Sequence, residues 1–163
     1  MDDISIYSKQ GFGNSSGFGR APALLMVDFV NGFCDPDCFG GGNILDAVNQ
    51  TRVLLKQARK SDLPIVHTRI VYEEDGAENG VFCEKVPGLD RLTETASISQ
   101  IVDPLKPEKG EHVVRKTQPS AFFGTGLGAT AGAASASVLA SAAASAFYYV
   151  ANARAWSAFA YSA

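Results

Sequence analysis

The chain of 163 residues is short of cysteine, of clustered positive charge and of strongly apolar long runs, and each shortage removes a class of protein. Its three cysteines, Cys34, Cys38 and Cys83, form no C-x-x-C pair and are odd in number. That argues against a disulfide scaffold and makes a reducing, cytoplasmic setting the expectation. Lys and Arg number 14 against 17 Asp and Glu, for a formal charge of -3 and a pI near 5.3. With no Lys/Arg run longer than a pair, there is no basic surface for a phosphate backbone, and nucleic acid is not an expected partner. The opening Met1-Asp2-Asp3-Ile4-Ser5 is acidic and polar, so no secretory leader is expected. Gly40-Gly41-Gly42 and Gly124-Thr125-Gly126 complete neither G-x-G-x-x-G nor G-x-x-x-x-G-K-[ST]. No nucleotide and no other cofactor is expected.

Charge itself is missing from one end. After Leu127 the chain is mostly Ala, Ser and Gly, with Arg154 as its sole charge and no Asp, Glu, Lys, His, Cys or Pro. The uncharged stretch 126–153 has the length of a bilayer span, but its few large aliphatics give little transfer free energy, so no membrane association is expected. Alanine favours helix, which predicts a low-complexity helical tail over 128–163. The missing charges are better accounted for by an engineered stretch, or by residues assigned without knowledge of the true sequence.

What is present is a chain 46% hydrophobic and 19% charged, enough for one domain with a real core. Residues 1–22, rich in Gly, Ser and aromatics, read as an irregular N-terminal arm, and 23–163 as the domain. Ala23–Val27 is a continuous apolar run ending at Asp28, the pattern of a strand buried on both faces. From Asn43 or Ile44 to Lys60, apolar residues at 44, 47, 48, 53, 54, 55 and 58 recur with helical spacing, with Asn43 as N-cap. Ile65–Val71 is a second, β-branched strand. Strand, helix, strand predicts a βαβ unit and a doubly wound sheet with ligands at the carboxyl ends of its strands. Beyond a polar insertion over 72–88, residues 89–92 read as a helical turn and His112–Lys116 as a third, short strand.

Asp28 stands where a buried apolar strand ends, a costly place for a charge without a partner or a task, and is a candidate general base; capping of nearby backbone N–H groups is the plain alternative. Lys116 ends a later strand, where an ammonium facing a carboxylate holds it ionised and stabilises developing negative charge. A solvated strand-end lysine is its alternative. Cys34 and Cys38 flank Asp35-Pro36-Asp37 near Asp28, but nothing places either on a helix N-terminus, where a thiol pKa falls. Their C-x-x-x-C spacing with His67 lacks metal-site pairing, and no metal is expected.

The run Ala21-Pro22-Ala23-Leu24-Leu25-Met26-Val27-Asp28-Phe29-Val30-Asn31-Gly32-Phe33 resembles the opening strand of isochorismatase-like cysteine hydrolases. Val66-His67-Thr68-Arg69 resembles their second strand, and the run from Val114 to Leu127 resembles the K-x-x-x-S-A-F-x-G-T-x-L segment that carries their lysine. The Gly-rich arm and its P-A-L-L entry are most similar to the N-carbamoylsarcosine amidase and maleamate amidohydrolase branch. The resemblance spans about residues 6 to 127. It implies a three-layer αβα sandwich around a central parallel β-sheet, assembled as a homo-oligomer. It also implies hydrolysis of a C–N bond in a small linear amide or carbamoyl compound, with ammonia released, by an Asp-Lys-Cys triad. Asp28 then takes the thiol proton, Lys116 stabilises the charged pair, and Phe33, five residues past Asp28, lines the substrate pocket, although core packing accounts for it equally well. The family's nucleophile falls near Tyr149 and Val150, where this chain reads Phe147-Tyr148-Tyr149-Val150, and no cysteine follows Cys83. The alternative is therefore a catalytically inactive homologue or truncated scaffold that binds a small carboxylate or amide.

Overall fold

A computed structural model describes residues 9–10, 22–133 and 137–142, with the backbone alone for 131–133 and 137–142. Four parallel strands form one sheet in the order β3-β2-β1-β4: β1 Pro22–Val27, β2 Ile65–Ile70, β3 His112–Lys116 and β4 Ser137–Ala142. Registers pair Val27 with Thr68, Ile70 with Lys116 and Val27 with Ala142. The chain moves outward from β1 through β2 to β3, then returns to the far side of β1. That reversal is the place in a parallel α/β sheet where a crevice opens at the carboxyl ends of the strands.

β1 lies centrally because its residues are apolar throughout: Ala23, Leu24, Leu25 and Met26 are all buried. The pleat sends Leu24 and Met26 to one face and Leu25 to the other. On the first face they pack under helix α2, Ile44–Lys60, which lies between the short α1, Asn31–Cys34, and β2, and against Ile101, Val102 and Leu105. On the second face Leu25 and Val66 meet Ala121 and Leu127, the residue that opens helix α4, Leu127–Ala133. Helices thus cover both faces, giving the three-layer αβα architecture that the family resemblance implies. A third cluster, with Val30, Phe33, Phe39, Tyr72 and Leu89, closes the carboxyl end of the sheet through α3, Val81–Lys85, and the single turn Leu89–Arg91.

Several details depart from expectation. The buried row of α2 is Ile44, Val48, Thr51, Leu55 and Ala58, a 4-3-4-3 spacing, whereas Val53 is 65% exposed and Leu54 is also exposed. Those two lie off the stripe that faces the sheet. Asn43 occupies the N-cap position but its side chain caps nothing, since its φ of -101° and ψ of 22° are not the extended geometry capping requires. Among the described residues of the alanine-rich tail, the helical reading holds to Ala133, whereas 137–142 is strand, because the open edge of β1 offers a complete backbone ladder that outweighs alanine's helix preference. The N-terminal arm lies outside the described residues except for Lys9, Gln10 and Pro22, which opens β1, as does the tail beyond 142. Among the described residues no helix is long and apolar enough to cross a membrane.

Candidate active site

The carboxyl end of β1 turns sharply. Asp28 has φ of 60°, in the left-handed region that costs a non-glycine residue energy, and Asp is one of the few side chains that tolerate it. The turn drives its carboxylate into the protein, where Asp28 is only 3% exposed. The backbone is held by Asp28 N donating to Thr68 O at 3.2 Å and by Val30 N donating to Asp28 O at 2.8 Å.

Lys116, also 3% exposed, reaches over the end of β2 from β3 and places Nζ 2.7 Å from Asp28 Oδ2. A second N–H of the same ammonium donates to Pro119 O at 2.7 Å. The Thr68 hydroxyl donates to Asp28 Oδ1 at 2.7 Å. The two residues expected to share a site do share one, two strands apart, and the register explains it: Val27 sits beside Thr68, and Lys116 sits two residues further along β2, beside Ile70.

Lys116 is anchored from its backbone as well. Val71 N donates to Lys116 O at 3.0 Å, and Tyr72 Oη donates to Thr117 O at 3.0 Å. Burial, with Cys83 and the Asp28 carboxylate close by, holds the Tyr72 phenol well above its ordinary pKa, so it remains a donor. A cleft of about 350 Å³ opens beside Lys116, walled by Glu78, Arg115, Gln118 and Phe123 among others. Arg115 ties Glu73 at 2.7 Å and also Glu78, anchoring the acidic loop at its rim. A larger cleft of about 520 Å³, lined by Arg69, Gln100 and Lys106 among others, has neither Asp28 nor Lys116 in its wall.

Phe33 is 4% exposed and packs edge-on to Phe39 at 5.8 Å between ring centres, within the third core cluster and together with Tyr72. The three cysteines are free thiols. Burial pushes the Cys34 thiol up, the direction that disfavours a thiolate. Cys38 Sγ lies 3.3 Å from the Arg91 guanidinium, and Cys83 Sγ is 3.9 Å from Asn79 Oδ1. His67 does not join Cys34 and Cys38: its Nε2 is 2.8 Å from Glu111 Oε2, beneath α2. Among the described residues no group of three or more His, Cys, Asp or Glu side chains is placed to hold a metal.

The model of the isochorismatase domain matches residues 22–140, nearly three-quarters of the chain. The chain belongs to the isochorismatase family. Within that family it is 36% identical over 118 residues to maleamate amidohydrolase of Pseudomonas putida, an alignment covering 71% of this chain and 55% of that protein. It is 31% identical over 132 residues to N-carbamoylsarcosine amidase of Arthrobacter sp, covering 76% and 48%. The chain therefore spans about half the length of these curated relatives. Among solved structures, a cysteine hydrolase from Pseudomonas syringae pv. phaseolicola superposes with a TM-score of 0.70 at 22% identity, over 74% of this chain and 58% of that one. N-carbamoylsarcosine amidase from Thermoplasma acidophilum superposes with 0.63 at 24%, over 76% and 68%. Both share the fold of this chain over the superposed residues.

Thr68, Pro119 and Tyr72 were not singled out in the sequence. Thr68 had a usable signal, since it lies in the strand that pairs with the one ending at Asp28; the carbonyl of Pro119 and the hydroxyl of Tyr72 had none.

Proposed function

We propose that this isochorismatase-family chain carries the base and cation of a hydrolase that cleaves the C–N bond of a small linear amide or carbamoyl compound and releases ammonia. The observation that carries the reading is the buried 2.7 Å contact between Lys116 Nζ and Asp28 Oδ2 at the carboxyl end of the sheet. A buried ion pair is weak evidence for stability, because desolvation offsets its attraction, so its presence beside a cleft favours a chemical role. The similarity to maleamate amidohydrolase and N-carbamoylsarcosine amidase supports the substrate class.

The chemistry follows from the protonation states. A thiol of ordinary pKa, about 8.5, is mostly protonated at neutral pH. Asp28 takes its proton, Lys116 balances the thiolate, and sulfur attacks the amide carbonyl. Asp28 passes that proton to the amide nitrogen, ammonia leaves from the tetrahedral intermediate, and water then hydrolyses the thioester. The matching nucleophile position, near Tyr149, lies outside the described residues. Phe33 lines the substrate pocket in this reading. Assembly is a homo-oligomer, consistent with the exposed apolar side chains of Phe122 and Phe123, and light scattering reads it directly.

A second reading rests on one fact: no cysteine follows Cys83. On that reading the chain is a non-catalytic homologue or scaffold that binds a small carboxylate or amide. The deciding experiment measures ammonia release from maleamate and from N-carbamoylsarcosine, alongside a peptide mass map after iodoacetamide treatment. Turnover that Lys116→Met abolishes, with a labelled thiol beyond residue 126, is the expected result. No turnover, with the alanine-rich tail confirmed by mass, leaves the scaffold.

A further inference from the structure

The structure assigns to Thr68 the role of a positioning residue that anchors Asp28 Oδ1 and thereby reserves Oδ2 for proton transfer; this rests on the catalytic reading of Asp28. Thr68 is 1% exposed, so its hydroxyl has no water to compete for it. It holds Asp28 twice, since its carbonyl accepts from the Asp28 amide at 3.2 Å and its Oγ1 donates to Asp28 Oδ1 at 2.7 Å. These bonds fix both ends of a residue whose left-handed backbone leaves it few other supports.

The consequence concerns which oxygen reacts. With Oδ1 tied to Thr68, the carboxylate cannot rotate about its Cβ–Cγ bond without breaking a buried hydrogen bond. Oδ2 then stays on the side of Lys116, the one member of the pair that lines the cleft beside it. When a thiol in that cleft is deprotonated, its S–H bond breaks, an O–H bond forms at Oδ2, the electron pair remains on sulfur, and the Lys116 ammonium balances the thiolate. Without Thr68 the carboxylate exchanges its two oxygens between Lys116 and the interior, and proton transfer loses its fixed geometry.

The test compares Thr68→Val, which keeps the shape and removes the hydroxyl, with Thr68→Ser, which keeps the hydroxyl. Full-length protein is labelled with 13C at the aspartate carboxyl carbons, and the Asp28 signal is identified by its disappearance in Asp28→Asn. The expected result is that Thr68→Val shifts the Asp28 carboxyl resonance while Thr68→Ser leaves it at the wild-type position. With maleamate as probe, Thr68→Val lowers kcat about ten- to a hundredfold, the size of a lost hydrogen bond to a charged group, with KM little changed and Thr68→Ser rescuing it. An unchanged Asp28 resonance in Thr68→Val overturns the assignment. A wild type that turns over no amide overturns the catalytic reading instead, and the resonance still reports whether Thr68 holds Oδ1. Should Thr68→Val fail to fold, the wild type decides: a slowly exchanging Thr68 hydroxyl proton coupled to the Asp28 carboxyl carbon supports the anchor, and a rapidly exchanging one removes it.

Discussion

A buried and a partly buried carboxylate, Asp28 and Glu111, lie on opposite faces of the same sheet, and they are bonded very differently. Glu111, under α2, accepts Arg59 Nε at 2.7 Å on Oε1, and on Oε2 it accepts Arg59 Nη2 at 3.0 Å, the Glu108 backbone N–H at 3.0 Å and His67 Nε2 at 2.8 Å. A carboxylate has about four acceptor sites, and four donors converge on this one. Among the described residues Asp28 accepts one donor on each oxygen, from Thr68 and Lys116. The Lys116 ammonium has three N–H groups and engages two partners among the described residues. Saturation marks a clamp that ties α2 and β2 to the loop before β3; unused capacity beside a cleft marks groups with something left to bind.

The largest effect that sharpens this contrast is expected at Lys116. Lys116→Met leaves Asp28 charged and buried without its cation, so urea denaturation should show a loss of about 3–5 kcal/mol. Adding Asp28→Asn to it should restore most of that loss. Strict additivity of the two changes would mean the pair is not coupled, and the contrast would collapse. Glu111→Gln comes next, at roughly 1.5–3 kcal/mol, because the Arg59 guanidinium loses its charged acceptor. It should leave ammonia release from maleamate unaltered. A parallel fall in turnover would show that the two faces are not independent.

The pH dependence separates the regions further. Burial pushes the Glu111 carboxyl up, but Arg59, the Glu108 amide and His67 together outweigh it and bring it down to about 2. A carboxyl depressed on folding stabilises the protein above its ordinary range and loses that contribution as pH falls toward its folded value. The stability gap between wild type and Glu111→Gln should therefore be flat above about pH 5 and close between there and pH 2. Burial lowers His67 too, ahead of the opposing pull of Glu111, so its neutral form is the folded one. Its contribution has the same sign, declining as pH drops below its ordinary value of 6.5. A gap that widens in acid would reverse the assignment. The smallest effect is at the surface: Val53→Asp should change stability by no more than about 0.5 kcal/mol, and a larger loss would reveal that this face of α2 is covered by another copy.

The contrast was half legible in the sequence. Asp28 and Lys116 were visible because each ends an apolar or alternating run, and their resemblance to a family segment gave them a shared purpose. The Glu111 clamp was not visible, because Arg59, His67 and Glu111 lie on three separate segments and meet only through the packing of α2 on β2. Linear periodicity also overcounted the core of α2: Val53 and Leu54 are as apolar as Leu55, and only the direction of the sheet decides which is buried. In the alanine-rich region local propensity pointed to helix over 137–142, and pairing with β1 decided otherwise.

β2 reads like a key cut along both edges. His67 serves the clamp on one edge and Thr68 serves the carboxylate on the other, with no spare residue between them. The strand can be edited by exchanging side chains but not by changing its length. One residue inserted before His67 would put the imidazole at the place of Thr68, and one deleted would put the hydroxyl at the place of His67; either change turns both groups to the wrong face and disarms both at once. Two would restore the facing yet carry each group about 6.6 Å along the strand, out of reach of its partner. Any graft of this site onto another parallel sheet therefore has to import β2 whole, in frame, with its helix-side partners.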